Sequence, residues 1–131
     1  MNTENALGLL IRRYRTERRL KLKDLANHLN ISSAYLSSIE NNKKLASKQF
    51  ISDLAIVLQI DNDPKAMAEL DEAVQLSQGF VRINLKGASR EKAQFAIELA
   101  RLLPSLDSKS IQVMCSLLRY TPAAKHQEAN N

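Results

Sequence analysis

The sequence has little of several residue types, and each shortage narrows what the protein can be. It has no Trp, three Phe, three Tyr, three Gly and three Pro in 131 residues, so aliphatic residues must supply most of the core, as in a mainly helical chain. Its single cysteine, Cys115, cannot form an internal disulfide, which favours a reducing cytoplasm. No apolar run approaches the ~18 residues of a membrane span, and the N-terminus lacks the apolar centre of a signal peptide. We therefore expect a soluble intracellular chain with no membrane partner.

Positive charge is concentrated in the first half of the chain. The net charge is +5, and residues 1–60 contain ten Lys and Arg but only five Asp and Glu. Residues 61–131 contain nine of each. This asymmetry is expected when one domain meets a polyanion. Charge alone leaves two interpretations open, a nucleic-acid surface or simply a solvated basic face.

The first half has the pattern of four short helices. Apolar residues at three-to-four spacing predict them over 5–19, 22–29, 33–40 and about 48–59. Ser32 and Ser47 are good N-caps for the third and the fourth helix. Asn30 follows the second helix and Asn41-Asn42 the third, where the left-handed conformation that Asn tolerates suits a sharp turn.

The second half is predicted to hold three more helices and a short strand. A fifth helix of about 65–77 ends near Gly79, and Val81, Ile83 and Leu85 then alternate with polar residues as in a strand. Helices of about 90–103 and 108–120 follow, the first capped by Ser89 and the second by Asp107 or Ser108. The pattern thus divides the chain into a domain of residues 1–62, a linker with a helix over 63–79, a C-terminal region of 80–120, and a tail of 121–131 predicted to be disordered.

The second and third predicted helices form a helical pair of a kind that can recognise a DNA sequence. In such a pair the second helix fits the major groove, and its first turns reach the base edges. Five small residues occupy the outward face of the third helix: Ser32, Ser33, Ala34, Ser37 and Ser38. Serine hydroxyls donate or accept hydrogen bonds, and an alanine methyl packs against a thymine methyl. By itself this pattern is weak, because helical hairpins with serines are widespread.

A family resemblance makes the pattern specific. The segment IRRYRTERRLKLKDLANHLNISSAYLSSIENN resembles the Cro and phage-repressor (XRE) helix-turn-helix family without a gap, within a match from Leu7 to Ile60. YLSSIE in the third helix and a QF pair opening the fourth are most similar to SinR-like transcription regulators. The resemblance implies a mainly α fold, with a five-helix lambda-repressor-like DNA-binding domain. A small C-terminal dimerisation region would follow, either helical or a strand with two helices.

The resemblance also assigns roles to individual residues. It places base contacts on the outward face already named, and phosphate contacts on Lys21, Asn27, Asn41, Lys43 and Lys44. Lys48 is expected to join them as a phosphate or minor-groove contact. For Tyr35 two interpretations stay open, a contact with the DNA backbone or half-buried packing inside the domain. Arg15 and Glu40 are expected to form a salt bridge that fixes the third helix, which is the recognition helix of this family, against the first helix.

Two departures from the family pattern affect the predicted interface. Lys21-Leu22 stands where the family usually has a Ser or Thr cap and a Gln, so the second helix loses a side-chain cap. The recognition helix also has no Arg, Gln or Asn to hold a base by two hydrogen bonds. Direct reading of bases is then modest, and DNA shape contributes to specificity.

Other chemistry finds no support in the sequence, and we expect neither an enzyme nor a cofactor. His28, His126 and Cys115 do not make a metal cluster. There is no glycine-rich phosphate loop and no nucleophile elbow. Catalytic and metal sites are therefore predicted to be absent.

The last two predicted helices carry more apolar residues than one face needs. Six of them are predicted to mediate dimerisation: Phe95, Leu99, Leu102, Ile111, Met114 and Leu118. So apolar a surface usually buries against a partner or a second copy, and helix-turn-helix proteins typically bind two-fold operators as dimers. The alternative is that these helices pack on the fifth helix within the monomer.

The preferred prediction is a sequence-specific transcription regulator of double-stranded DNA, acting as a dimeric repressor on a palindromic operator read in the major groove. It would be cytoplasmic, and associated with the nucleoid when bound. An alternative is the antitoxin of a toxin–antitoxin pair, which binds its own promoter and neutralises a toxin through its C-terminal half. In a third interpretation, which the SinR-like resemblance implies, that half docks a protein antagonist.

Overall fold

The structure is a computed structural model that describes residues 3–121. These residues form seven α-helices and one short 3-10 helix, with no strand among them, which confirms the predicted mainly α fold. The chain separates into two compact units, Met1–Arg82 and Ile83–Asn131. The predicted disordered tail lies outside the described residues from position 122 onward. No helix in the described part is both long enough and apolar enough to cross a membrane.

The first unit contains five helices around one apolar core. They are α1 (Ala6–Glu17), α2 (Leu22–His28), α3 (Ser33–Glu40), α4 (Lys48–Val57) and α5 (Pro64–Gln78). Leu25 of α2, Leu36 of α3, and Leu54 and Leu58 in and after α4 are fully buried in this core. Because short helices gain most of their stability from such packing rather than from propensity, the core also fixes where α2 and α3 lie.

The first four helices end in the same way, with one residue in the left-handed conformation. These residues are Arg19, Asn30, Asn42 and Gln59, with φ between 54° and 60°. The amide of the following residue then donates to the carbonyl five residues earlier, at 2.8–3.0 Å in all four cases, which satisfies backbone groups at the helix end. The turns at Asn30 and Asn42 agree with the sequence, but α1 and α4 end two residues earlier than predicted because Arg19 and Gln59 also adopt this conformation.

Helix α5 belongs to the first unit rather than to a linker. It buries Ala66, Leu70 and Ala73 in the same core and packs along α1. Its Ser77 Oγ accepts a hydrogen bond of 2.9 Å from the backbone N–H of Leu7, near the start of α1. The boundary predicted at residue 62 therefore falls inside the unit, which extends to Arg82.

The second unit contains α6 (Arg90–Leu102), a 3-10 turn (Leu103–Ser105) and α7 (Ser108–Arg119). Both helices start where predicted, since Ser89 Oγ accepts from the Lys92 amide at 3.2 Å and Asp107 Oδ1 from the Ser110 amide at 2.8 Å. No residue of α6 or α7 is buried.

The strand predicted around Val81, Ile83 and Leu85 was wrong. These residues belong to no strand, and all three side chains are exposed. A strand needs a neighbouring strand to accept and donate its backbone hydrogen bonds, and no other segment of residues 3–121 forms one. The alternating pattern alone therefore did not make a strand.

Candidate nucleic-acid interface

A tight turn joins α2 to α3 and sets the position of the recognition helix. Asn30 has a φ of 56°, and the amide of Ile31 donates to the carbonyl of Ala26 at 3.0 Å. Ser32 then caps α3, with its Oγ accepting a 3.0 Å hydrogen bond from the Tyr35 amide. Ala26 of α2 is buried, and α2 and α3 contact each other. The predicted helix-turn-helix is thus formed.

On the outward face of α3, some hydroxyl groups form hydrogen bonds within the protein and other side chains do not. Ser32 caps the helix, and Ser38 Oγ donates to the carbonyl of Tyr35 at 2.6 Å. Ser37 Oγ accepts from the carboxamide of Asn41 at 3.3 Å. In the first turn, the half-buried Ser33 makes no side-chain hydrogen bond within residues 3–121, and the methyl group of Ala34 is exposed. The first turn of α3 therefore offers the least encumbered surface to an outside partner.

Exposed lysines flank α3 at both ends. Lys21 precedes α2, Lys43 and Lys44 follow α3, and Lys48 opens α4, all with exposed side chains. The loop after α3 is held in place because the amides of Lys43 and Lys44 both donate to the carbonyl of Ser38, at 2.8 and 3.2 Å. These positive charges lie on segments next to the recognition helix, where phosphates of a bound duplex would pass.

Tyr35 and Asn27 differ in how free they are. Tyr35 is half-buried, packs edge to face on Phe50 with ring centroids 6.4 Å apart, and has Lys44 Nζ 5.6 Å from its ring centre. Asn27 of α2 is exposed. Packing thus occupies much of the Tyr35 ring, while the Asn27 side chain remains available to solvent.

The N-terminus of α2 is capped from within the helix, although Lys21 provides no side-chain cap. Asp24 Oδ2 accepts a 2.9 Å hydrogen bond from the backbone N–H of Lys21. This is the half of a capping box that the third helical residue supplies, and it keeps the Lys21 ammonium free of the cap.

Arg15 and Glu40 join α1 to the end of the recognition helix. Arg15 Nε donates to Glu40 Oε1 at 2.8 Å and Arg15 Nη2 to Glu40 Oε2 at 3.3 Å. Arg15 Nη1 also donates to the carbonyl of Leu20 at 3.2 Å, so one guanidinium connects α1, the loop before α2, and α3. Only 4% of the Glu40 side chain and 18% of the Arg15 side chain are exposed, which places this fork in a low-dielectric environment where such pairs are strong.

Two supports of the recognition helix were not predicted from the sequence. Arg12 Nε lies 3.6 Å from Glu40 Oε2, and its Nη2 donates to Asn41 Oδ1 at 2.8 Å. A Cβ atom at Gly8 would overlap the backbone carbonyl of Glu40, so only glycine lets α1 approach the end of α3 this closely. The available signals were a glycine inside a helical pattern and an arginine three residues before Arg15, on the same helix face.

The arginines of α1, and Arg18 directly after it, serve the fold more than the interface. Arg13 Nη2 is 2.6 Å from Glu69 Oε1, and Arg18 Nη2 donates to the carbonyl of Leu58 at 2.8 Å. Together with Arg12 and Arg15, these side chains already have partners inside the first unit. The lysines around α3 are therefore the better candidates for contacts with an external polyanion.

In the second unit, four of the six predicted dimerisation residues share one apolar depression. Phe95, Leu99, Leu102 and Met114 line it together with Leu106 and Glu98. The other two, Ile111 and Leu118, are exposed on α7, and Met114 lies between them at helical spacing on the same helix. Phe95 and Leu118 are 62% and 58% exposed, so this surface is open on the unit.

No metal centre is formed in the described part of the chain. Among residues 3–121 there is no group of three or more His, Cys, Asp or Glu side chains placed to hold a metal ion.

Comparison with known proteins places the chain in a family. The model of a helix-turn-helix domain family matches residues 6–70, which span α1 to the middle of α5. The chain is 39% identical over 64 residues to the "ImmF control region 10 kDa protein" of Bacillus phage phi105, a match that covers 49% of this chain and 71% of that protein. No solved structure matches significantly.

The chain belongs to the helix-turn-helix family of DNA-binding regulators. The predicted resemblance to Cro-like and phage-repressor-like regulators is thereby confirmed.

Proposed function

We propose that the protein is a dimeric repressor that binds a palindromic operator in double-stranded DNA, with α3 in the major groove. The observation that carries this proposal is the division of α3 into two sides. Leu36, Ile39 and Glu40 are buried against the rest of the first unit, while Ala34 is exposed and the half-buried Ser33 has no side-chain hydrogen bond within residues 3–121. A helix fixed on one side and bare on the other is what insertion into a groove requires.

Bases and phosphates are contacted by different residues in this proposal. Ser32, Ser33, Ala34, Ser37 and Ser38 face the base edges. Lys21, Lys43, Lys44 and Lys48 neutralise phosphates, with Asn27 and the hydroxyl of Tyr35 adding polar contacts to the backbone. Since phosphate contacts carry no sequence information of their own, the small residues of α3 and the shape of the DNA set the preference.

The dimer is proposed to form through α6 and α7 of two copies. Its contact surface consists of Phe95, Leu99, Leu102, Ile111, Met114 and Leu118. Since no residue of either helix is buried, this apolar surface is available for a second copy. The same patch on both copies gives a two-fold dimer, and two-fold symmetry is what a palindromic operator mirrors. Such a repressor acts in the cytoplasm, at the nucleoid when bound.

Selection of bound DNA from a random pool, followed by titration at several salt concentrations, tests the DNA-binding part of this proposal. We expect a palindromic consensus with half-sites about 34 Å apart and an affinity that falls steeply with salt. Replacing Ser33 or Ala34 changes the preferred bases, whereas Lys43→Ala weakens binding to every sequence alike. Binding that is equally strong on all sequences would reject a sequence-specific repressor.

The size of the purified protein tests the dimer. We expect a homodimer without any partner, and Leu118→Glu to convert it to a monomer because a charge enters the apolar contact. Leu9→Glu is the matched control, since Leu9 is also an exposed leucine but lies on α1. A dimer that survives Leu118→Glu would place the contact elsewhere.

The open apolar surface of α6 and α7 also favours a second candidate, an antitoxin that covers this surface with its toxin. Two results together would favour this candidate over the dimeric repressor. The chain would be a monomer when purified alone, and it would bind a small toxin in a complex that only substitutions in α6 or α7 disrupt. If the partner were instead a protein antagonist docked on the same helices, this chain would also be monomeric alone. The antagonist, unlike a toxin, would not harm cells when it is expressed without this chain.

A further inference from the structure

We propose that Asn41 is a positioning residue for base recognition rather than a phosphate contact. Together with Arg12, it holds Ser37 so that the Ser37 hydroxyl presents its proton to an acceptor atom in the major groove. This inference rests on the proposed function, since it concerns how α3 reads its operator. It departs from the role that the family resemblance implies for Asn41.

A continuous set of hydrogen bonds joins Arg12 to Ser37 through the Asn41 side chain. Arg12 Nη2 donates to Asn41 Oδ1 at 2.8 Å, and Asn41 Nδ2 donates to the backbone carbonyl of Ser37 at 2.9 Å and to Ser37 Oγ at 3.3 Å. Arg12 is itself held from behind, with Nε 3.6 Å from the buried carboxylate of Glu40. The oxygen and the amino group of the Asn41 carboxamide are thus both engaged, and a phosphate would have to displace these contacts.

The chemistry of the neighbours allows only one orientation of the Asn41 carboxamide. A guanidinium has N–H donors and no acceptor, so the carboxamide oxygen must face Arg12. The amino group is then directed to Ser37, where the backbone carbonyl can only accept. A rotation that exchanged the two ends would place a donor against Arg12 and an acceptor against that carbonyl, and would break both contacts.

This orientation gives the Ser37 hydroxyl a polarity. A hydroxyl has one proton and two lone pairs, and one lone pair of Ser37 Oγ faces the Asn41 amino group. Its proton is therefore left for an outside acceptor, and the major groove offers guanine N7 and O6, adenine N7 and thymine O4.

The neighbouring serine has the opposite arrangement. Ser38 Oγ donates its proton to the carbonyl of Tyr35 at 2.6 Å, so it offers only lone pairs to an outside partner. Two adjacent hydroxyls of the same residue type thus differ in what they can recognise, and it is the contact with Asn41 that distinguishes Ser37.

Selection of bound DNA with variants of the full-length protein tests this role. Ser37→Ala identifies the base pair that Ser37 reads. We expect Asn41→Ala to reduce the preference at that same base pair by about fivefold, the scale of one net hydrogen bond, and to leave the salt dependence of binding unchanged. In the double variant, Asn41→Ala should add no further loss to that of Ser37→Ala, since the two residues act as one unit. Asn27→Ala is the matched control and should weaken all sequences alike.

Four results would overturn the inference. Asn41→Ala would behave like Asn27→Ala if Asn41 contacted phosphate, Ser37→Ala would change no preference if Ser37 did not read a base, and the two losses would add if the residues acted independently. In each of these cases the wild-type protein still selects a sequence and the proposed function stands. A wild-type protein that selects no sequence overturns both.

Thermal unfolding of Asn41→Ala shows whether this variant is still folded. A second variant keeps the inference testable if it is not. Arg12→Lys keeps the positive charge but loses the planar fork that reaches Glu40 and Asn41 together. We expect a smaller loss of preference at the same base pair, with affinity for other sequences unchanged. An unaltered preference in this variant contradicts the role of Arg12.

Discussion

The carboxylate of Glu40 lies at the end of the recognition helix and is the one buried charged side chain among residues 3–121. Two arginines of α1 approach it, Arg15 with two hydrogen bonds and Arg12 at 3.6 Å. A buried carboxylate left without a partner is costly, because desolvation is no longer offset by attraction. The position of α3 therefore depends on these arginine side chains.

Arg15→Met should lower the free energy of unfolding by about 3 kcal/mol, the lower end of what loss of one partner in a buried pair costs. The nearby Arg12 keeps the effect from being larger. Urea denaturation measures it, with Arg13→Met as the matched control. Arg13 lies only 2.6 Å from Glu69, but their side chains are 49% and 44% exposed, so solvent screening limits that loss to about 1 kcal/mol or less. Equal losses in the two variants would show that burial does not decide the strength of these pairs.

Gly8→Ala should destabilise the protein although alanine favours helices. The helix propensity gained is about 1 kcal/mol, but the new methyl group would overlap the Glu40 carbonyl and force α1 away from α3. Overpacking of this kind costs about 1–3 kcal/mol or more, so we expect a net loss and a lower melting temperature. Thr16→Ala, at an exposed position of the same helix, is the control and should not lower it. A more stable Gly8→Ala variant would contradict the close approach of the two helices.

At the level of elements, the starts of helices were predicted better than their ends. Ser32, Ser47 and Ser89 each cap a helix as predicted, and of the two candidates Asp107 and Ser108 it is Asp107 that caps α7. A cap is a contact with an amide three residues away, so local sequence is enough to predict it. The predicted ends of α1 and α4 were wrong because Arg19 and Gln59 are not residue types that indicate the left-handed conformation. In the structure this conformation accompanies the hydrogen bonds from the Leu20 and Ile60 amides to the carbonyls five residues earlier.

Gln59→Gly should raise the free energy of unfolding by about 1 kcal/mol, because glycine adopts the left-handed conformation without the steric penalty of a Cβ. Ser52→Gly, at an exposed position inside α4, is the control and should lower it by about 0.5 kcal/mol. Urea denaturation of both variants checks the signs. Opposite signs are required, since the two changes introduce the same residue into different backbone conformations.

The cap of α7 should be sensitive to acid. The Ser110 amide, by donating to the carboxylate, holds the pKa of Asp107 below its ordinary value. Because the pKa is lower in the folded chain, the cap contributes fully above the ordinary aspartate pKa of about 3.9 and is lost as the pH falls through the folded value.

Nuclear magnetic resonance can follow this titration at the Ser110 amide. We expect its chemical shift to move with a midpoint below the ordinary aspartate pKa, and the movement to disappear in Asp107→Asn. A midpoint at or above that pKa would mean that the cap does not form in solution.

At the level of the whole molecule, sequence predicted the class of fold and the helix-turn-helix but not the extent of the first unit. Leu70 and Ser77 tie α5 to this unit through a buried contact and a hydrogen bond to α1, and neither is visible in local patterns. The interface divides in the same way. The serines and lysines of the candidate interface could be named from the resemblance, whereas the contact from Asn41 to Ser37 depends on a three-dimensional arrangement with Arg12.

A chain that ends at Arg82 should fold by itself, because every buried residue in the described part lies between Leu7 and Ala73. We expect a monomer with the same preferred half-site. Its affinity for the palindromic operator should fall by about 100-fold, since the second half-site is no longer bound intramolecularly. On DNA with one half-site, which is the control, the short and the full chain should bind equally. Equal binding to the palindrome would show that residues 83–131 do not join two copies.

The bare first turn of α3 has a consequence for how such a protein evolves. The Ser33 and Ala34 side chains form no hydrogen bond within residues 3–121, while Gly8, Arg15 and Glu40 fix α1 against the end of α3. Mutation can therefore exchange Ser33 and Ala34 with little loss of stability, and under the proposed function the operator sequence would change together with them. Descendants of this protein can keep one architecture and come to control different genes.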